Sequence, residues 1–371
     1  MNMRILIIAP EQITVPPLLG GSVEIGILAI AKQLAKSHQV TVVSRSHPRY
    51  PQHSQINGVH IYRVPTGSPM KYLSHVKKWI GNKRFDVVQV DNRPRFIRPL
   101  KQLLRNKGIP VTLFLHSLTF VGPPFTTRSA AARDVAHADL ILANSSSLKQ
   151  QLSSRFPGIS GRIRKIWLGV DTNRFSPARK PNPGRTFKVL FTGRIIPRKG
   201  VPVLLRAVKL AQGEAKKPLE VIIAGGSSRP GYMNQMRSLA RKLKVRTRFL
   251  GNIPHSSIHN VYRKADVFVC PSQKHEAFGL VNVEAMSSGL PVIASNNGGI
   301  KEIIKHNRNG ILIKNYKQPQ GFAKAIIKLS NQRDTRNRMS RLARSDCMKQ
   351  FSWGATAKRI VRAYAKYRNQ K

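Results

Sequence analysis

The chain has 371 residues, of which 41% are hydrophobic and 22% are charged, so its composition is globular and its length suits two domains. It carries 65 lysines and arginines against 15 acidic residues, and the formal net charge of +50 favours contact with polyanions. Two cysteines are too few for a disulfide framework or a cysteine-based zinc site, which indicates a reducing compartment. No apolar run reaches the ~20 residues of a membrane span. The N-terminal MNMRILIIAPEQ predicts a buried strand rather than a signal peptide, so a cytoplasmic location is expected.

Short aliphatic segments alternate with amphipathic helical patterns in the first half of the chain. The predicted strands are MRILIIAP, QVTVVS, FDVVQV, PVTLFLH and ADLILANS, and the clearest helices span residues 23–36 and 96–106. This alternation is typical of a parallel sheet with helices on both faces. The Pro- and Gly-rich stretch SPARKPNPGRTF, residues 176–187, then indicates a linker.

The same alternation returns in the second half. The predicted strands are KVLFTG, LEVIIAGG, TRFLG, DVFVCPS and PVIAS, with helices at residues 200–213, 231–243, 256–264 and 280–288. The fold class is therefore α/β, with two Rossmann-like, doubly wound domains that face a ligand-binding cleft. We predict a first domain over residues 1–178, a linker over 179–186 and a second domain over 187–352.

Two glutamates stand out in KHEAFGLVNVEAMSSGLPVIAS, residues 274–295. Glu276 lies in the loop after a predicted strand, and Glu284 follows after seven residues, inside a predicted helix. The backbone N–H groups at the helix start are a ready phosphate site. They belong to Ala277, Phe278, Gly279 and Leu280. A ligand with central phosphates and a sugar at each end, a nucleotide-sugar, fits this arrangement. Alternatively, Glu284 only complements the helix dipole.

This stretch resembles the signature of retaining glycosyltransferases of family 4, which have the GT-B fold. Other family landmarks follow in order: GGSVE, FLH, WLGVDTNRFSP, FTGRIIPRKG, FLGNIP and FSW. The resemblance covers nearly the whole chain, and the start GGSVEIG is similar to bacterial spore-coat-associated members. It implies that the C-terminal helix, residues 353–371, packs back on the first domain.

The resemblance also implies roles for individual residues of the second domain. Arg194 and Lys199 would bind the diphosphate and stabilise the charge that grows on the leaving group. The neighbouring Arg198 is interpreted as surface charge. Glu284 would bind the ribose hydroxyls and Glu276 the hydroxyls of the transferred sugar. The backbone of Gly251 and Ile253 would pass close to the nucleobase of the donor.

In the first domain, Gly20 and Gly21 form a loop that would let the backbone approach phosphate or acceptor, although a plain tight turn is an alternative. His116 ends the strand VTLFLH, where the family often has a histidine near the transferred sugar; a structural role is the alternative. Asp91, Asn92 and Arg93 end the strand VVQV on the same rim and are predicted to touch the acceptor.

Neither a metal nor another cofactor is expected. No D-x-D motif is present, so Lys199, Arg194 and a helix N-terminus would replace a divalent cation at the diphosphate. No carboxylate is an evident nucleophile. The family mechanism implies front-face attack, in which the leaving phosphate takes the proton of the acceptor hydroxyl.

Several partners and functions remain open at this point. The donor would be a UDP-, GDP- or ADP-sugar, and the acceptor a glycan, a lipid-linked sugar or a protein. The basic segment 69–84 is either a helix packed on the domain or a docking element for anionic membrane at the inner face. No motif indicates specific nucleic-acid recognition. A non-catalytic coat or scaffold protein with the same fold and a GT-B epimerase or phosphorylase are the alternative functions.

Overall fold

The computed structural model of the chain describes residues 2–178 and 184–368. The chain divides into two compact units, Met1–Gly169 with Trp353–Lys371, and Val170–Ser352. Within the predicted linker, residues 179–183 lie outside the described residues, as do residues 369–371 of the predicted terminal helix.

The first unit is built on an eight-stranded sheet. Its strands are β1 Arg4–Ile8, β2 Gln39–Arg45, β3 His53–Ile56, β4 Val59–Val64, β5 Val87–Asp91, β6 Val111–Leu115, β7 Leu140–Ala143 and β8 Ile163–Lys165, in the order β3-β4-β2-β1-β5-β6-β7-β8. All neighbouring pairs are parallel except β3 with β4. The α-helices between the strands are α1 Ser22–Leu34, α2 Pro69–Ile80, α3 Ile97–Leu104, α4 Arg128–Ala136 and α5 Ser146–Arg155.

The central strands form where the sequence is continuously apolar. Every residue of β5, β6 and β7 is buried, because helices cover both faces of this part of the sheet. The β3–β4 hairpin at the edge was not predicted. It turns at Asn57 and Gly58, both with positive φ (49° and 80°), the conformation that an Asn-Gly two-residue hairpin favours.

The second unit is built on a six-stranded parallel sheet. Its strands are β9 Phe187–Thr192, β10 Leu219–Ala224, β11 Thr247–Gly251, β12 Val267–Cys270, β13 Val292–Ser295 and β14 Gly310–Ile313, in the order β11-β10-β9-β12-β13-β14. Its α-helices are α6 Val201–Ala211, α7 Tyr232–Lys242, α8 His259–Tyr262, α9 Leu280–Ser287, α10 Ile300–Ile303, α11 Gln320–Asn331 and α12 Arg333–Gln350. The predicted α/β class, with two parallel sheets, is confirmed.

Each sheet reverses its strand order at one place. In the first unit β1 lies between β2 and β5, and in the second β9 lies between β10 and β12. At such a reversal the loops that leave the two neighbouring strands diverge to opposite faces, which leaves a crevice at the carboxyl ends. The loops after β1, β5, β9 and β12 therefore occupy the positions at which open α/β sheets bind ligands.

The C-terminal helix α13, Trp353–Arg368, is part of the first unit and contacts α1. The Thr356 hydroxyl donates a hydrogen bond to the Trp167 carbonyl at 2.9 Å. The unit boundary at residues 169 and 170 differs from the predicted boundary at 178. The reason is that Val170 donates its amide to the Phe351 carbonyl at 2.8 Å, while Arg344 donates to the carbonyl of the buried Phe175, also at 2.8 Å.

The basic segment 69–84 contains α2, whose apolar residues face the interior of the first unit. Leu73, Val76 and Ile80 are fully buried, and Trp79 is half-buried against Tyr62 with ring centroids 4.8 Å apart. The apolar side of this helix is therefore occupied by the protein itself. Among the described residues, none of the helices combines the length and the hydropathy that a transmembrane helix needs.

Candidate active site

The second unit brings Lys199 and Glu276 into contact at the reversal between β9 and β12. Lys199 follows β9, Glu276 follows β12, and the Lys199 Nζ atom donates to Glu276 Oε2. Both side chains are about four-fifths buried, with 19% and 20% of their surface exposed. The Ser272 hydroxyl donates to the same carboxylate oxygen at 3.2 Å. Sequence analysis assigned both residues to the donor site, and they are neighbours in the structure.

The carboxyl group of Glu276 is held in its charged form. Burial raises its pKa, but the positive charge and hydrogen bond of Lys199, the charge of Arg198 and the hydrogen bond of Ser272 together outweigh burial, so the pKa lies below its ordinary value. At neutral pH Glu276 is therefore an ionised hydrogen-bond acceptor. A carboxylate of this kind suits the binding of sugar hydroxyls and does not suit general acid catalysis.

Backbone packing fixes the position of Lys199 relative to Glu276. Gly200 has φ +76°, and a Cβ atom there would lie 1.9 Å from the Pro271 carbonyl oxygen. Only glycine permits this close approach. The Gln273 amide also donates to the Arg198 carbonyl at 2.8 Å. The loops after β9 and β12 are thus joined through their main chains next to the charged pair.

Arg194 and Arg198 add positive charge beside this pair. Burial lowers the pKa of the Arg194 guanidinium, the like charge of Arg198 lowers it further, and the Glu276 carboxylate acts in the opposite direction. The Arg194 side chain has no hydrogen bond or ion pair to any residue in the described part of the chain. Arg198, interpreted from sequence as mere surface charge, acts electrostatically on both Arg194 and Glu276. The cluster can therefore receive an anion.

Glu284 lies on α9 and is clamped by two residues that sequence analysis did not identify. Its Oε1 atom is 2.9 Å from His255 Nε2, and its Oε2 accepts a hydrogen bond from the Tyr262 hydroxyl at 2.8 Å. The Thr192 hydroxyl lies 2.6 Å from the Tyr262 hydroxyl. Burial, followed by the Glu284 charge, raises the Tyr262 pKa. Since a carboxylate offers about four acceptor sites, Glu284 retains capacity for a ligand.

The α9 N-terminus, predicted as a phosphate site, has no side-chain cap. Gly279 precedes the helix with φ +91°, and Ala277 and Phe278 are buried beneath it. The Asn282 amide donates to the Gly279 carbonyl at 2.9 Å, and the amides before it, including that of Leu280, are the donors that a helix start presents to anions.

Gly251 ends β11, and Ile253 is half-buried in the loop that follows. The main chain here is held against the neighbouring loop, because the Gly251 carbonyl accepts a hydrogen bond from the Gly225 amide at 2.8 Å. The same loop carries His255, which contacts Glu284. The structure thus links the predicted base-binding loop to the predicted ribose ligand through a histidine that the sequence pattern did not indicate.

The first unit places His116 at the end of β6, oriented by a buried carboxylate. His116 Nε2 lies 2.8 Å from Asp91 Oδ1, and Asp91 also accepts from Gln89 Nε2 at 2.7 Å. Asn92, with φ +55°, accepts the His116 amide through Oδ1 at 3.3 Å. Asp91 thereby fixes which ring nitrogen carries hydrogen, an arrangement suited to a histidine that positions a substrate.

Arg93 corrects one prediction. Its guanidinium forms two hydrogen bonds to Glu11, at 2.6 and 3.0 Å, and lies 3.9 Å from the centroid of the Phe120 ring. Both charged residues are buried. Arg93 Nη1 also donates to the Asn92 carbonyl at 2.9 Å, so all three guanidinium nitrogens have partners within the protein. The side chain is therefore buried and engaged in joining the loops after β1 and β5, which leaves it poorly placed to contact an acceptor.

Gly20 and Gly21 precede α1, and no side chain caps this helix. In its first turn Glu24 is buried, with 4% of its surface exposed. Sequence analysis used Glu24 only as part of the landmark GGSVE. Within residues 2–178 and 184–368, no cluster of three or more His, Cys, Asp or Glu residues is arranged to bind a metal.

Comparisons with known proteins agree with this geometry. Residues 20–174 match the family model for Glycosyltransferase Family 4, and residues 173–346 match that for Glycosyl transferases group 1. The chain is 29% identical to Spore coat protein SA of Bacillus subtilis over 99% of its own length and all of that protein.

Among solved structures, the sucrose-phosphate synthase of Thermosynechococcus elongatus is similar with a TM-score of 0.83 at 20% identity, over 99% of this chain and 100% of that one. HepE of Anabaena, solved in complex with UDP-glucose, has a TM-score of 0.80 at 19% identity, over 98% of this chain and 100% of that one. These likenesses confirm the GT-B fold. The two matched domains, which together span residues 20–346, show that the chain belongs to the glycosyltransferases, with a Family 4 domain followed by a group 1 domain.

Proposed function

We propose that the protein transfers a sugar from a nucleotide-sugar to a hydroxyl group of an acceptor, with retention of configuration and without a metal ion. The observation that carries the proposal is the contact between Lys199 and Glu276 beside the unpaired Arg194. A cation for phosphate and a permanently ionised acceptor for sugar hydroxyls lie side by side there. A scaffold needs no such pairing of partly buried charges.

In this proposal the second unit binds the donor. Arg194, Lys199 and the first-turn amides of α9 hold the diphosphate, Glu284 binds the ribose, and Glu276 binds hydroxyls of the sugar. As the bond between the anomeric carbon and the phosphate oxygen breaks, negative charge grows on the leaving diphosphate. The positive charges of Arg194 and Lys199 stabilise that charge.

The new bond forms between the acceptor oxygen and the anomeric carbon on the face that the diphosphate leaves. The hydroxyl proton passes to the departing phosphate oxygen, so no residue of the chain has to act as a nucleophile. His116, held by Asp91, lies at the ligand-binding edge of the first unit and would position the transferred sugar or the acceptor. Arg194 and Lys199 take the place of a divalent cation.

The donor is a UDP-, GDP- or ADP-sugar, and the HepE complex with UDP-glucose supports UDP. The acceptor is a glycan, a lipid-linked sugar or a protein of the bacterial envelope or spore coat, which the coat-protein relative supports. We place the reaction in the cytoplasm or at its anionic membrane surface. A chain with a net charge of +50 would approach that surface by electrostatics alone.

The test is donor binding and slow donor hydrolysis. Purified protein is screened by thermal shift against UDP-, GDP- and ADP-sugars, and release of nucleoside diphosphate is then followed with the best donor. Lys199→Ala should weaken donor binding by about 10-fold or more, since a charge-assisted hydrogen bond is lost. Lys209→Ala, which removes an exposed lysine of α6, is the matched control and should change nothing.

Glu276→Gln should retain donor binding and lose most of the turnover. A protein that binds none of the donors and hydrolyses none would be a scaffold instead. Full turnover by Glu276→Gln would remove this residue from the reaction even if the donor binds.

A further inference from the structure

One buried carboxyl group lacks the partner that all the others have. The buried acidic residues are Glu11, Glu24, Asp91, Glu220, Glu284 and Asp346. Five of these contact an arginine or a histidine of the described chain. Glu24 does not: its carboxyl group has a hydrogen bond only with its own backbone amide among the described residues. In a protein with 65 lysines and arginines, a buried acid without a cation is an exception.

Glu24 lies where the first unit should bind a ligand. It is in the first turn of α1, at the carboxyl end of β1 and beside the reversal between β1 and β5. Gly21 has φ +122°, and a Cβ atom there would lie 2.6 Å from Glu24 Oε2. A Cβ atom at Gly20 would meet nothing within 4 Å. The same Cβ position at Gly21 is 3.1 Å from Ile13 Cδ1, so the missing side chain of this glycine leaves space between the Glu24 carboxyl group and Ile13.

The charged groups that face Glu24 are already engaged with one another. His116 and Arg93 attract the carboxylate and Asp91 repels it, while His116 is paired with Asp91 and Arg93 with Glu11. The α13 helix, also packed on α1, approaches through Trp353, which lies near Gly26. Burial is the largest influence and raises the pKa of Glu24 to about 7.

A group in this situation lowers stability unless a ligand completes its hydrogen bonds. A buried carboxyl group whose hydrogen-bonding capacity is only partly used costs free energy, and such a group in a native protein calls for an explanation. Close to neutral pH the carboxyl group can donate or accept a hydrogen bond. An uncharged hydroxyl can do the same. A phosphate would be repelled by the ionised form, and Arg93 is not free to balance it.

We propose that Glu24 binds a hydroxyl group of an uncharged part of the acceptor, such as a sugar ring or another polyol, at the carboxyl edge of the first sheet. The inference rests on the proposed function for the identity of the ligand as an acceptor. The structural observation, a buried acid without an ion pair among the described residues and beside Gly21, holds whichever reaction the protein catalyses. Glu24 is here a binding residue, not a base for the transfer step.

The first test needs no catalysis. Protein labelled with ¹³C at the glutamate carboxyl carbon is titrated by NMR, and the Glu24 signal is assigned by its absence in Glu24→Gln. The hydroxyl probes are methyl α-glucoside, N-acetylglucosamine, myo-inositol and glycerol, and inorganic phosphate is the anionic comparison. At least one hydroxyl probe should displace the Glu24 titration midpoint in a saturable way, and phosphate should not.

The second test uses transfer from the best nucleotide-sugar to the same probes. Glu24→Ala should raise the acceptor KM about 10-fold or more with the donor KM unchanged, since a hydrogen bond to an ionisable group is lost. Glu24→Gln should bind the acceptor with a KM that no longer depends on pH between 6 and 8. The matched control is Glu214→Ala, at an exposed glutamate.

The outcomes separate the two proposals. If no donor is used but a hydroxyl probe displaces the Glu24 titration, the proposed function fails and the Glu24 site stands. If donors are hydrolysed but no hydroxyl probe perturbs Glu24, the Glu24 site is wrong. An acceptor KM unchanged in Glu24→Ala also overturns it.

Discussion

The stability of the first unit should depend on pH through Glu24, and Glu24→Gln should remove that dependence. The ordinary pKa of a glutamate is 4.5, and burial raises that of Glu24 to about 7. The folded state therefore holds the proton more tightly than the unfolded state. Stability from this group is fully present below pH 4.5 and is lost as the pH rises to about 7 and beyond.

The size of the effect follows from the same two values. Each pKa unit corresponds to about 1.4 kcal/mol, so the wild-type protein should lose about 3 kcal/mol relative to Glu24→Gln between pH 4.5 and pH 8. Glutamine is neutral throughout and has nearly the same shape. For a unit of this size about 3 kcal/mol corresponds to roughly 6–12 °C in the unfolding midpoint.

The measurement is thermal and urea unfolding of both proteins at pH 5 and pH 8, at constant ionic strength. At pH 8 Glu24→Gln should be the more stable protein, and at pH 5 the two should nearly coincide. Glu214→Gln, at an exposed position, serves as the matched control and should have the stability of the wild type at both pH 5 and pH 8. Equal stability of wild type and Glu24→Gln at pH 8 would refute the argument, since it would mean that burial does not penalise this carboxylate.

Three further predictions concern the second unit. Lys199→Ala should shift the acid limb of the pH–rate profile of donor hydrolysis to higher pH, because Lys199 is the main influence that lowers the pKa of Glu276. An acid limb at the wild-type pH would contradict this. Gly200→Ala should lower the free energy of urea unfolding of the second unit by at least about 2 kcal/mol, because its Cβ would collide with the Pro271 carbonyl. An unfolding free energy equal to that of the wild type would show that the loop can move. Glu284→Ala should weaken UDP binding about 10-fold in calorimetry, whereas unchanged affinity would assign the residue to helix packing.

The pattern of apolar residues was sufficient to predict the central strands, because strands covered on both faces are continuously apolar. VTLFL and VFVC were predicted as strands and are β6 and β12, so His116 and Glu276 lie at the carboxyl ends of strands, as predicted. Resemblance to the family then brought Lys199 and Glu276 together, which spacing alone could not do.

The edges of the sheets were harder to predict. HSQI in β3 alternates polar residues on an exposed edge, and β14 has only four residues. HSQI gives no apolar run, whereas GILI in β14 is a short apolar run that was not predicted as a strand. The Asn57-Gly58 pair between β3 and β4 was nevertheless a usable hairpin signal, and it was overlooked.

The partners of the site residues depend on packing between distant segments. Tyr262 and His255 support Glu284 across 22 and 29 positions of sequence, and Glu11 occupies Arg93 across 82. No local pattern marks such pairs. Glu24 is a second example, because its distinguishing feature is a buried carboxyl group without an ion pair among the described residues, which no sequence pattern indicates.

The contact between Lys199 and Glu276 also has a consequence for selectivity among anions. A strongly basic protein attracts chloride, carboxylates and nucleic acid, and a lysine without an ion pair would bind these anions without selectivity. Here an internal carboxylate already serves as the counterion, so an incoming anion must compete with it for Lys199. If the proposed function is right, the doubly charged diphosphate of the donor would displace Glu276 from Lys199, and the two residues would pair again when the product leaves.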